Sequence, residues 1–357
     1  MVRRWLLPFS ILYGLIIRLR NLAFDRGILH QSAFDIPVIV AGNISTGGTG
    51  KSPLTIYLAR LLTPSKRVAI LSRGYGRDTS GYVRVSTGHT AREVGDEPLQ
   101  YAVCLPEVVV AVCEKRVVGI NRLLDLTPAP DLVLLDDAFQ HRYVKPGLSL
   151  LLTEFNAPFT DDLLLPAGRL REPPSSAKRA DAIVVTKCPE DLSSSAALAM
   201  ASRLRKRTGQ PVFFSSIRHA HPVSAGPGFS EMEFDLKNTA IFFFCGIARP
   251  SYPLNHLKKC SLKVEARIFP DHHSYSGDEL LSIISDFNQF ASANKACTPI
   301  LLTTRKDLMR LYNAKEQRLF NDLPFFILDI EICFLNYPWN DFDQFIKGYL
   351  ELSGKPS

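Results

Sequence analysis

Paired cysteines are missing from this chain. Its seven, Cys104, Cys113, Cys188, Cys245, Cys260, Cys297 and Cys333, are odd in number, scattered, and never spaced C-x-x-C. That argues against a disulfide framework and a zinc site, and it points to a reduced, cytosolic setting. Internal repeats and low-complexity tracts are absent too, and no basic patch is interleaved with aromatics, so nucleic-acid binding is the least expected activity. The apolar amino-terminal run "WLLPFSILYGLII" is only thirteen residues. As a helix it would reach roughly 20 Å, short of the roughly 30 Å hydrocarbon core of a bilayer. No small-x-small cleavage site follows it, which argues against a signal peptide.

What is present is a globular composition. The 357 residues are 46% hydrophobic and 22% charged, enough for two units with sizeable cores. The net charge of +7 suits an anionic partner. Arginines bracket the apolar run (Arg3 and Arg4 before it, Arg18 and Arg20 after it). It reads either as a helix lying in the membrane interface with its guanidinium groups among lipid phosphates, or as a buried first helix.

From residue 37 to about 216, short β-branched runs alternate with helical stretches: "IPVIVA", "RVAILS", "EVVVAV", "DLVLLDD", "LSLLLT", "AIVVT" and "PVFFSS". Runs without polar alternation are strands covered on both faces, so the expectation is an α/β fold with a doubly wound, mostly parallel sheet whose ligands gather at the strands' carboxyl ends. Residues 217–236 read as a linker or hairpin connection. A second, smaller α/β unit follows, with strands at "TAIFFFC", "KVEARIF" and "PILLTT", a helix carrying Leu280, Ile283, Ile284, Phe287 and Phe290, and a last helix carrying Phe342, Phe345, Ile346 and Tyr349. The expected division is 1–30 for the amino-terminal helix, 31–225 for the larger unit and 226–357 for the smaller.

The chemistry centres on "GNISTGGTGKSPLT", which sits between a strand-like run and a helical pattern. Its glycines let successive N–H groups converge on phosphate oxygens, Lys51 reaches the outer phosphates, and Ser52 offers a hydroxyl to Mg²⁺. Pro53 suits the first turn of the following helix. Ser45 stands where the strict pattern has Gly. Asp136 and Asp137 end another buried strand, where Mg²⁺ coordination is a better reading than helix capping. Cations recur just after strands: Arg73 and Arg77, Lys115 and Arg116, Arg169 and Arg171. Asp96 in "EVGDEP" reads equally as a helix cap or a base, and "FPDHHSY" offers His272 and His273 beside Asp271. A partitioning-type ATPase would carry lysine where this loop has Thr46. A soluble small-molecule kinase remains a rival.

Taken in order, "GNISTGGTGKSP", "LSRGYGR", "VGDEP", "LLDDAFQHR", "LLPAGRLREP", "FPDHHSY" and "LLTTRKD" closely resemble the tetraacyldisaccharide 4′-kinases, the lipid A 4′-kinases of Gram-negative bacteria. The resemblance implies a P-loop NTPase-like kinase on the cytoplasmic face of the inner membrane. It would move the γ-phosphate of ATP to the 4′-hydroxyl of an acylated glucosamine disaccharide 1-phosphate, giving lipid IVA, with no obligate protein partner. It assigns Ser45, Thr46, Gly47, Gly48, Thr49, Gly50, Lys51 and Ser52 to the nucleotide. Asp96 becomes the base, assisted by His272, with Lys51, Asp136, Asp137 and Arg171 as further catalytic groups. Ser52, Asp136, Asp137 and Glu172 would hold Mg²⁺, and Arg73, Arg116, Gln140 and His141 would meet substrate. Two positions depart from the family's usual residues: Ser52 stands for Thr, and Arg305 for Glu. With His272 in one unit and the loop in the other, closure of the cleft between them is expected.

Overall fold

The computed structural model describes residues 4–225, 232, 234–311 and 315–353. Arg3 and the tip of the expected 217–236 connection lie outside the described residues. Helix α1 (Leu7–Asp25) leads into β1 (Val38–Asn43), α2 (Lys51–Leu62), β2 (Val68–Ser72), β3 (Val83–Arg84), α3 (Ala91–Val94), α4 (Asp96–Cys104) and β4 (Val109–Val112). Next come α5 (Arg116–Leu124), β5 (Leu132–Asp136), β6 (Leu148–Glu154), β7 (Ala182–Thr186), α6 (Ser194–Leu204) and β8 (Val212–His219). The chain continues through β9 (Val223–Ser224), β10 (Thr239–Cys245), α7 (Ser251–Cys260), β11 (Lys263–Ile268), α8 (Gly277–Ala293), β12 (Thr298–Thr304) and α9 (Arg305–Leu311). It ends with β13 (Phe325–Leu328), β14 (Ile330–Phe334) and α10 (Phe342–Ser353).

Nine strands form one sheet in the order β14-β8-β7-β6-β1-β5-β2-β4-β3, parallel except at the two edge strands. All seven runs picked out by their unbroken apolar character are strands of this sheet. They are buried on both faces because helices cover both, as doubly wound sheets require. The smaller sheet runs β11-β10-β12-β13-β9, parallel apart from β9. One apolar core joins an inner face of each sheet: Ile39, Leu54, Leu134 and Val184 from the larger unit, Phe242, Leu280 and Leu301 from the smaller.

The expected division meets a different topology at the end of the chain. β14 pairs antiparallel with β8, Ile332 opposite Ile217, and so belongs to the larger sheet. α10 follows it there: Phe342 stacks on Phe334 at 3.9 Å between ring centroids, and Tyr57 on α2 donates to the Asp343 carboxylate at 2.6 Å. Aromatic packing on the larger sheet's edge, which periodicity alone could not locate, draws this last helix away from the smaller unit.

The amino-terminal run is part of a longer helix than its apolar stretch suggests, 19 residues and so roughly 28 Å. Its polar and small residues face the protein. Ser10 Oγ donates to the Leu164 carbonyl at 3.0 Å, Tyr13 OH to the Arg171 carbonyl at 2.9 Å, and Asn21 Nδ2 to Glu172 at 3.3 Å. Phe24 is buried beneath the Arg142 guanidinium, 5.0 Å from its ring. The large apolar side chains point outward: Trp5 is 73% exposed and Ile11 72%, with Phe9, Leu12, Leu15, Ile16 and Leu19 also exposed. The alternative of a buried first helix is thereby excluded, since burial falls on the wrong side.

A close internal approach lies at the end of β1, where a Cβ on Gly42 would stand 2.7 Å from Phe139 Cβ and 2.8 Å from the Phe139 backbone nitrogen. Gly42→Ala is therefore expected to destabilise the protein by about 1–3 kcal/mol, as overpacking against backbone does. A lowered urea midpoint at unchanged m-value would register it.

Candidate active site

β1 and α2 are joined by the loop 44–50. Positive φ is needed at two places, Gly47 (112°) and Gly50 (87°), and glycine occupies both. Ser45 needs no such freedom. It bridges Leu170, while Thr46 N–H donates to the Arg169 carbonyl at 2.8 Å, so its replacement of the strict pattern's glycine costs the loop nothing. Asn43 Nδ2 holds Thr49 Oγ1 at 2.7 Å, and Thr186 Oγ1 donates to the Thr49 carbonyl at 2.8 Å. The first residue of α2 is Lys51, and no side chain caps this helix start. Its free N–H groups and positive dipole end are left for an anion.

Carboxylates meet the loop from the neighbouring strand β5. Asp137, in a left-handed backbone conformation (φ 45°), lies 3.6 Å from Lys51 Nζ and accepts from Arg171 Nη1 at 3.2 Å. Burial works to raise its pKa, but the Lys51 and Arg171 charges outweigh that and hold it below the usual carboxylate value. Asp136 is buried with one oxygen accepting from Ser72 Oγ at 3.2 Å and the other unpaired. Burial, then the nearby charges of Glu97 and Asp137, push its pKa up to about 7. Glu97 was not singled out from the sequence, yet its Oε1 accepts from Ser52 Oγ at 2.9 Å. Its position directly after Asp96 was the available signal.

Asp96 opens α4 and is turned toward the smaller unit. Its Oδ2 accepts from Arg310 Nη2 at 2.9 Å and lies 3.0 Å from His272 Nδ1 and 3.8 Å from Lys306 Nζ. Its Oδ1 accepts from the Glu97 N–H at 2.9 Å. Burial alone would raise its pKa, but the His272 hydrogen bond and the Lys306 and Arg310 charges depress it far below the ordinary value. Lys306 also stands 3.3 Å from His272 Nε2 and 3.8 Å from Glu97 Oε1. The expected base and its histidine therefore already touch, and no cleft closure is needed to bring them together. Lys306 and Arg310 lie in and just after the "TTRKD" block on α9, but that block drew notice only for Arg305, which pairs with Asp329 Oδ1 at 2.9 Å, away from this cluster.

The remaining expected residues divide. Arg116 is buried and donates to the Cys113 carbonyl at 2.6 Å; burial lowers its pKa to about 10, against the pull of Asp136. Arg73 is exposed at the end of β2. His141 is held neutral, its pKa lowered to about 4 by burial and the Arg116, Arg20 and Arg73 charges. Gln140 is turned to the backbone, donating to the Asn43 carbonyl at 2.5 Å. Glu172 calls for a correction. It is wholly buried, its carboxylate 2.8 Å from Arg179 Nη2 and 3.9 Å from Arg20, with Asn21 donating to it. Its charge anchors α1 and does not face the phosphate loop, so it is no ligand for a metal there. His273 is likewise occupied elsewhere, 3.1 Å from Glu279, and Arg77 is paired with Glu114.

This arrangement, an uncapped helix start, a lysine, a serine hydroxyl and clustered carboxylates at adjoining strand ends, can hold a nucleoside triphosphate and transfer its terminal group. Known proteins give the same picture. A profile of the family tetraacyldisaccharide-1-P 4′-kinase matches residues 2–351. The chain is 41% identical to the tetraacyldisaccharide 4′-kinase of Bacteroides thetaiotaomicron, with 98% of this chain and 93% of that one covered. It is 40% identical to that of Flavobacterium johnsoniae, with 100% and 99% covered. Among solved structures it is similar to LpxK from Aquifex aeolicus in complex with ATP, with a TM-score of 0.73, 34% identity and 99% of each chain covered.

Arg310 also donates to Asp307 Oδ1 at 2.8 Å, and both residues are buried. Arg310→Ala removes the cation paired with the buried Asp307 carboxylate and one of those facing Asp96, so a loss of about 3–5 kcal/mol in chemical unfolding is expected. Arg305→Ala, which breaks a single pair outside the cluster, should cost less.

Proposed function

The chain belongs to the tetraacyldisaccharide-1-P 4′-kinase family, and on that premise we propose a division of labour among its residues. The protein is an ATP-dependent kinase that phosphorylates the lipid A precursor, the tetraacyldisaccharide 1-phosphate, at its 4′ position. The observation carrying the residue-level reading is the contact of Asp96 with His272 beside the phosphate loop.

The amides at the start of α2 and the 44–50 loop hold the phosphates, with Lys51 and Arg171 balancing charge that grows on the transferring group. Both cations now rest on Asp137, which keeps them aligned until a triphosphate takes its place. Asp96 is ionised at every working pH and can accept a hydrogen bond from the sugar's 4′-hydroxyl. So depressed a carboxylate is a poor final proton acceptor. His272, 3.0 Å from the same oxygen, is the group able to take the proton onward. Lys306 fixes the imidazole from its other nitrogen.

The donor set fits Mg²⁺. Ser52 Oγ, Glu97 and Asp136 are all hard oxygen ligands, and Asp136 carries a buried, unpaired oxygen whose pKa is raised by burial and then by the nearby Glu97 and Asp137 charges. These residues would hold a Mg²⁺ ion, which would supply neutralisation of the phosphates' negative charge. Arg73 and Arg116, with neutral His141, line the strand ends beside Asp136 and suit the sugar and its 1-phosphate.

The exposed apolar face of α1 supports a membrane-surface location, on the cytoplasmic face where ATP is available. Arg18 and Arg26 on the same helix are exposed for lipid phosphates. A substrate whose acyl chains stay in the bilayer is then met at the surface.

Two outcomes are expected. With [γ-³²P]ATP and the acylated disaccharide monophosphate, Asp96→Ala should lower turnover by about 10²–10⁴-fold with ATP affinity retained, the range of a lost base; normal turnover would remove Asp96 from the mechanism. Replacing Ile11 and Leu15 together by Asp should weaken co-sedimentation with anionic vesicles by about tenfold or more. Activity on detergent-dispersed substrate should persist.

A further inference from the structure

Two of the buried polar atoms that find no hydrogen-bond partner among the described residues lie near one another at the end of β5. One is Oδ1 of Asp136, and the other is the hydroxyl of Tyr101. Tyr101 sits on α4 four residues after Glu97, so the two side chains leave the same face of the helix. Glu97 accepts from Ser52 Oγ at 2.9 Å. The Tyr101 ring is fully buried in the apolar core that joins the two sheets. The side chains that act on its hydroxyl are Asp136, Glu97 and Ser52, the same three that suit a magnesium ion. Burial, then the charges of Asp136 and Glu97, hold its pKa well above the ordinary phenol value, so the group stays a proton donor.

A hydroxyl at this place needs a reason. Phenylalanine would fill the same space with no polar atom to strip of water, and a buried O–H without a partner costs free energy. Buried tyrosines ordinarily find one. The carboxylate beside it has the complementary gap. Ser72 Oγ, at the end of β2, holds Asp136 Oδ2 at 3.2 Å and leaves Oδ1 bare. A ligating carboxylate is directed by what holds it from behind, and here one of its two oxygens has no such support.

We propose that Tyr101 is a positioning residue of the metal site, its hydroxyl donating to the bare oxygen of Asp136 when that carboxylate holds a divalent cation. A carboxylate oxygen has two lone pairs, one for the cation and one for the phenol. Ser72 and Tyr101 then clamp Asp136 from two different elements and keep it aimed at Ser52. The proposal rests on the reading of Ser52, Glu97 and Asp136 as the Mg²⁺ ligands. It gives Tyr101 no contact with ATP or with the sugar, so its effect passes through the cation alone.

The test compares full-length wild type with Tyr101→Phe, which removes one oxygen and keeps the ring. The probe is a non-hydrolysable ATP analogue, titrated calorimetrically once with Mg²⁺ and once with EDTA. In EDTA the two proteins should bind it equally. With Mg²⁺ the variant should bind about tenfold or more weakly, as loss of a group that supports a metal ligand does. The Mg²⁺ concentration for half-maximal turnover should rise by a similar factor, with kcat recovering at high Mg²⁺. In urea with EDTA the variant should unfold at the same midpoint as wild type or a higher one, because the hydroxyl it lacks is unpaired in the metal-free protein. Equal weakening with and without Mg²⁺, no weakening in either, or a lower urea midpoint would overturn the proposal. Asp136→Asn separates the two readings. If it keeps the full gain in affinity from Mg²⁺, the metal assignment itself fails; if it loses that gain while Tyr101→Phe retains it, only the role of Tyr101 falls.

Discussion

The chemistry of the two units meets at the carboxylate of Asp96. Three cationic or hydrogen-bonding side chains from the smaller unit, those of Arg310, His272 and Lys306, point at one oxygen of a residue that opens a helix in the larger unit. Such a buried ion cluster adds little to net stability, because desolvation offsets the Coulombic gain. What it does add is definition: only one placement of α9 against α4 satisfies it. That placement is also the one in which an imidazole stands beside an ionised carboxylate next to a phosphate loop. Structural and chemical demands thus fall on the same atoms.

The acidic side of the site follows a related logic. Asp136, Asp137 and Glu97 lie close together near two cations, and burial divides their behaviour. Asp137 keeps its charge because Lys51 and Arg171 face it, while Asp136, deeper and with only Ser72 to donate to it, is pushed toward neutrality. A buried carboxyl whose pKa is raised by desolvation and neighbouring carboxylates is one that a divalent cation would return to its charged form.

Much of this was legible in the residues themselves. Unbroken β-branched runs marked every strand that is covered on both faces. The glycine loop announced itself because backbone curvature and a terminal lysine leave few other uses for such a pattern. Asp96 and His272 were separate candidates in the residues, and the family resemblance paired them, although spacing could not say that they touch. What escaped were contacts fixed by tertiary packing. Lys306 and Arg310 sit at unremarkable helical positions, and only the docking of α9 aims them. Glu172 looked like a ligand because it follows Arg171, but in the loop after Leu170 its carboxylate turns to Arg179 and α1. The strands β3 and β9, two residues each, are too short for a period to show. The last helix has a clear apolar stripe, but a stripe does not name the surface that it will cover.

The pairing of β14 with β8 bears on how the two parts of the molecule can move. The chain leaves the larger sheet after β8 and returns as its neighbour, the Ala220 N–H donating to the Asp329 carbonyl at 3.0 Å where the two strands part. The smaller unit is therefore an insertion suspended from a two-stranded ribbon rather than a tail on a single thread. Twin attachments side by side resist sliding and twisting but permit bending across their common line. Any bending of the smaller unit against the larger would therefore be confined to one axis, with its side chains keeping their lateral position.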